Sequence, residues 1–137
     1  MSRPRLRRPV LVLPGTALEV RAVPGKGRGV FARRAVPAGR RLCRCPTIAL
    51  TAEDCAGLNR TSLAKHFFTG DREEFEAWFA LGPLSLVNHG LPANADWGYV
   101  EGGALGCLID LVALRPIAAG EEVLIDYNTP LWFEPVA

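Results

Sequence analysis

No apolar stretch in this chain approaches the roughly 20 residues that a helix needs to cross a bilayer. Near the start, Val10 to Leu13 forms a short apolar run behind a basic head of Arg3, Arg5, Arg7 and Arg8. It mimics a signal peptide weakly, but it is too short, and Pro9 and Pro14 bracket it. Cysteine is sparse as well. Four residues without regular spacing, in a chain with no export signal, argue for reduced thiols rather than a disulfide framework. A cytoplasmic protein with no membrane partner is expected. Cys43 and Cys45, two apart on a predicted strand, cannot alone supply the four ligands of a zinc site, so no metal is expected. The phosphate-loop spacing is missing, and so are internal repeats and low-complexity linkers. Lysine is scarce, with Lys26 and Lys65 set against 14 arginines.

What remains is an ordinary globular composition, 49% hydrophobic and 22% charged, in 137 residues. That length suits one domain with a real core. We expect a basic extension over 1–16 and a single domain over 17–137. The net charge of +2 hides an asymmetry: residues 1–44 hold 12 of the 16 basic residues and one acidic residue, Glu19. Two halves that fold against each other and neutralise would explain this. A face that receives a basic ligand, such as a lysine-bearing peptide, is the functional alternative. A basic arm on nucleic acid is a third reading, for Arg3, Arg5, Arg7 and Arg8.

The first half reads as short strands broken by glycine and proline. Leu18, Val20 and Ala22 alternate with Glu19 and Arg21. PGKGRG (24–29) is a glycine-rich loop, GVFARRAVPAG (29–39) a strand and turn, and RLCRC (41–45) and TIALT (47–51) are strands flanking Pro46. Thr51 with Asp54, and Asp71 with Glu74, resemble capping boxes. Phe75, Trp78 and Phe79 fall at helical spacing, with Gly82-Pro83 as a stop, so a helical insert is predicted over about 52–81. LGCLIDLVAL (105–114) and EEVLIDY (121–127) return to strand. Strands, a helical insert and strands again give a mainly β fold.

Four segments carry chemistry: GKGRGVFA (25–32), LVNHGLPANA (86–95), ALRPIAAGEEVLIDY (113–127) and Trp132. Glycines let backbone approach a ligand. An asparagine offers a donor and an acceptor together. In this order the four resemble a SET domain, over about residues 17–133. Within that family the chain looks like the minimal form, without zinc clusters before or after the domain. The resemblance implies a mostly β fold of β-clip type, with a pseudoknot-like crossing near the C-terminus. It implies methyl transfer from S-adenosylmethionine to the ε-amine of a protein lysine, with S-adenosylhomocysteine as product.

Site roles follow from the same resemblance, residue by residue. Lys26, Gly27, Arg28, Gly29, Asn88, His89 and Trp132 match cofactor-binding positions. Lys26 and Arg28 are candidates for the cofactor carboxylate. His89 would act through its backbone, and by its ring in binding adenine or fixing the crossing. Tyr127 matches the terminal tyrosine of the family motif and is the candidate catalytic residue. Trp97, Tyr99, Tyr127 and Phe133 are candidates for an aromatic wall around the substrate lysine, where cation–π attraction suits a methylated ammonium; core packing is the competing reading of Trp97, Tyr99 and Phe133. Asn94 matches a second family asparagine. Gly90 stands where the family has serine, and Pro92 replaces a proline that usually sits just before Asn94. Glu121 and Glu122 read as a turn and the start of a surface strand, with Asp126 near the crossing. The implied partner is a protein whose lysine lies in a basic segment, received by the acidic Asp71, Glu73, Glu74 and Glu76. A homodimer is a further implication, and nucleic acid is not expected. The rivals are a non-catalytic module that kept the fold and an Arg-rich nucleic-acid binder.

Overall fold

The computed structural model describes residues 10–25, 27–64, 66, 68–69 and 77–126. Strands β1 (Val10–Val12), β2 (Leu18–Val23) and β3 (Gly27–Ala32) form an antiparallel sheet in that order. β1 lies inside the stretch assigned above to a basic extension, and it pairs with β2 from Val10↔Arg21 to Val12↔Glu19. The alternation in β2 is imperfect at its start, where Leu18 and Glu19 are both buried. The Glu19 carboxylate accepts from Arg21 Nε at 3.0 Å, and the Arg21 guanidinium lies 4.8 Å from the Phe31 ring centre. A buried carboxylate is tolerated because its charge is paired.

The second sheet holds β4 (Arg41–Leu50), β5 (Phe68–Thr69), β6 (Ala77–Ala80), β8 (Ala95–Glu101) and β9 (Cys107–Ala113), ordered β5-β6-β4-β9-β8. Pro46 does not split β4 as the sequence suggests. It ends the ladder with β9, and the ladder with β6 starts at Thr47, so neither needs the missing N–H. A bulge between Arg41 and Cys43 turns both Leu42 and Cys43 inward. Cys43 and Cys45 then share the core face with their sulfurs 3.9 Å apart.

Among the described residues, the predicted insert is α-helical only at its start. Helix α1 (Ala52–Leu58) carries the capping box: Thr51 Oγ1 accepts from the Asp54 amide at 3.1 Å, and Asp54 Oδ2 accepts from the Thr51 amide at 3.0 Å. Trp78 and Phe79, expected on a helical face, lie instead in β6, paired with Ala49 and Ile48 of β4. Aromatic residues suit a pleated, half-buried surface, and pairing with β4 outweighed the helical spacing. Phe75 and the Asp71–Glu74 box lie outside the described residues. Gly82-Pro83, read as a helix stop, opens a 3-10 turn at Pro83–Leu86.

The third pairing matters most. β7 (Asn88–His89) runs parallel to β10 (Leu124–Ile125), in register Asn88↔Leu124 and His89↔Ile125. Only part of EEVLIDY is therefore regular strand, though Glu122 also bridges to Phe31. Val30, Leu84, Val87, Val123 and Ile125 are buried around this junction.

Candidate active site

Residues 88–94 loop around the C-terminal segment. The Gly90 amide donates to Ile125 O and the Asn94 amide to Leu124 O, both at 3.1 Å. Asn94 is fully buried and uses its whole side chain. Its Nδ2 donates to Glu122 O at 2.8 Å and to Glu121 Oε2 at 3.2 Å, and its Oδ1 accepts from the Leu124 amide at 2.8 Å. The Glu121 carboxyl is held below the ordinary carboxylate range, first by the Ala118 amide, then by Asn94 and by Arg115. This stabilisation is present above the unfolded carboxylate pKa and fades as acid titrates Glu121.

Asn88 sits where β3, β7 and the C-terminal segment meet. Its Nδ2 donates to Arg28 O and to Glu122 Oε2, each at 2.8 Å. Both amide protons are thereby spent, which leaves Oδ1 as the group able to meet a ligand. Glu122 was expected to start a surface strand. Its carboxylate instead turns inward and fixes this amide. Gly29 makes the clamp sterically possible, because a Cβ there would collide with the Glu122 carboxylate and lie 2.9 Å from Asn88 Nδ2.

A cleft of about 430 Å³ opens beside the clamp, lined by Gly27, Arg28, His66, Leu86 and Asn88. Among the described residues, no carboxylate pairs with the Arg28 guanidinium. The His89 backbone lies in the β7–β10 ladder, and its ring Nδ1 is 3.7 Å from Asp126 Oδ1. Both placements fit a residue that fixes the crossing.

A run of rings lies on the second sheet. Trp97 and Tyr99, two apart on β8, have centroids 5.2 Å apart. Phe68 lies 4.8 Å from Trp97, and Trp78 lies 4.8 Å from Tyr99. β5 and β8 are opposite ends of the strand order, so these contacts require the sheet to curl. Tyr99 is buried and Trp97 half-buried.

The SET domain family matches residues 27–128. The chain belongs to the SET-domain family. It is 31% identical over 132 residues to the Schizosaccharomyces pombe histone-lysine N-methyltransferase specific for H3 lysine-37, covering 96% of this chain and 85% of the relative. It is accordingly a protein-lysine methyltransferase. Two solved structures share the fold. A Plasmodium falciparum protein assigned as a histone methyltransferase superposes with a TM-score of 0.70 at 21% identity, covering 86% of this chain and 98% of the other. The Cryptosporidium protein CpSET8 gives 0.67 at 18%, covering 83% and 58%.

Within this SET domain, the structure brings together Gly27, Arg28, Gly29 and Asn88 from the predicted cofactor set. Lys26, Tyr127, Trp132 and Phe133 lie outside the described residues, as does the acidic stretch 71–76. The sequence reading missed His66 and Leu86 in the cleft, Phe68 and Trp78 in the ring cluster, and the inward turn of Glu122. Trp78 could have been found from Ala77–Ala80 as a short apolar run before Gly82. His66 carried no such signal.

Gly90, the departure from the family serine, has a local cause. A Cβ at this position would lie 2.7 Å from Leu124 Cδ1 and 3.0 Å from Cδ2. The glycine and the leucine fit one another across the β7–β10 pair. Gly90→Ser is expected to cost about 1–3 kcal/mol by overpacking. In a Leu124→Ala background the same change should cost little. Urea unfolding of the four proteins reads this coupling.

Proposed function

We propose that this SET domain transfers a methyl group from S-adenosylmethionine to the ε-amine of a lysine in a basic segment of a protein substrate. The observation that carries this reading is the Asn88 clamp beside Arg28, which pairs with no carboxylate among the described residues. An acceptor oxygen and a guanidinium facing one cleft complement the ammonium and carboxylate of an α-amino acid. The cleft volume lies within the roughly 300–1,000 Å³ usual for small-molecule sites. When bound, S-adenosylmethionine supplies an electrophilic methyl group on a sulfonium.

The chain's own residues position and dehydrate. Free lysine has a pKa of about 10.4, so the amine must shed a proton before it can attack. An apolar channel favours the neutral amine. Trp97 and Tyr99, backed by Phe68 and Trp78, can wall off the aliphatic stem and exclude water. The Tyr127 hydroxyl orients the amine without serving as a strong base. Catalysis is then chiefly orientation, for which a misplacement of about 1 Å can cost on the order of 100-fold. Tyr127→Phe is expected to lower methyl transfer by about that factor while S-adenosylhomocysteine affinity stays near wild type. Wild-type turnover in that variant would remove Tyr127 from the reaction. The specificity of the fission-yeast relative makes a histone H3 peptide the first substrate to try.

A further inference from the structure

His66 belongs to the cleft but to no role assigned so far. It lies between α1 and β5, beyond the strands that build the rest of the site. Its ring Nδ1 is 2.8 Å from Ser85 O. A carbonyl oxygen only accepts, so Nδ1 carries the proton and donates. In the neutral ring Nε2 is then a bare acceptor. Among the described residues Nε2 has no hydrogen-bond partner, and the residue is half-buried. His66 lines the same cleft as Arg28 and Asn88.

Among the described side chains that line the cleft, the polar ones are therefore Asn88, with Oδ1 as acceptor, His66, with Nε2 as acceptor, and the cation Arg28. Two acceptors match a group with several N–H donors, and the α-ammonium of the cofactor has three. We infer that His66 accepts a hydrogen bond from the cofactor's α-ammonium and so reads the presence of that group. The inference rests on the cofactor reading above and adds a specificity residue to it. Ser85 holds the ring by its other nitrogen, which fixes both the tautomer and the direction of Nε2.

Two substitutions separate this role from simple tethering. Asparagine places a donor where Nδ1 stands and nothing where Nε2 stands. Glutamine reaches the Nε2 position and gives up the short tether. Calorimetry would compare the wild type, His66→Asn and His66→Gln, each with S-adenosylhomocysteine and with its analogue lacking the α-amino group. Hydrogen bonds to charged groups set the scale at about tenfold or more in affinity. His66→Asn should lose about that factor for S-adenosylhomocysteine, and His66→Gln should stay within about threefold. The deamino analogue should bind the wild type and His66→Asn equally.

If His66→Asn binds like wild type while His66→Gln is weakened, the ring is only a tether and the inference falls, with the cofactor reading intact. If His66→Asn loses equally for both ligands, Nε2 meets some other donor and the ammonium assignment falls. Failure of the folded wild type to bind S-adenosylhomocysteine overturns the cofactor reading and this inference together.

Discussion

The Asn94→Ala variant is expected to lose about 3–5 kcal/mol of unfolding free energy, most of the margin of a marginally stable domain. Asn94 makes three side-chain hydrogen bonds from a fully buried position. The loss is set by the orphaned partners, since the part-buried Leu124 amide and Glu122 carbonyl left unpaired cost about 1–3 kcal/mol each. Asn94→Asp should be no better. It keeps the acceptor for Leu124 but turns a carboxylate oxygen toward Glu122 O and Glu121 Oε2, where a donor is required. Urea unfolding measures both. A loss under about 1 kcal/mol would show that the crossing is held by other contacts.

Gly29→Ala is expected to weaken S-adenosylhomocysteine binding by at least about tenfold while the fold survives. The added methyl collides with the Glu122 carboxylate and crowds Asn88 Nδ2, so the amide can no longer sit between Arg28 O and Glu122. A charge-assisted hydrogen bond of about 1.5–3 kcal/mol is then lost from the group that positions Oδ1. β3 itself tolerates alanine, because Gly29 is not among the glycines with positive φ. Calorimetric titration, with circular dichroism to show folding, reads the effect. Unchanged affinity would mean that the Asn88 clamp does not organise the cofactor site.

Much of the fold was legible because its signals are local. Alternation in Leu18–Val23 and the apolar run of Cys107–Ala113 marked strands, and Thr51 with Asp54 marked a helix start that the structure reproduces with both reciprocal bonds. The Trp78 and Phe79 helix was misread because spacing of three and four residues is equally available to a short strand whose partner, β4, lies about 30 residues away. The site divided in the same way. Gly27, Arg28 and Asn88 were legible by their order along the chain. Glu122 and His66 were not, because what gives them meaning is a partner 34 residues away at Asn88 and one 19 residues away at Ser85. Gly90 stood out in the sequence as a departure from the family serine, and beside Leu124 it is a packing solution.

The most direct measurement is to incubate the protein with an extract of cellular proteins and methyl-labelled S-adenosylmethionine, then locate the label by tandem mass spectrometry. Label should appear on lysine ε-amines of proteins other than the enzyme, with acceptor lysines in basic segments, and should fall sharply with Tyr127→Phe. Label confined to other residue types, or absent although the folded protein binds S-adenosylhomocysteine, would contradict lysine methyl transfer by this chain.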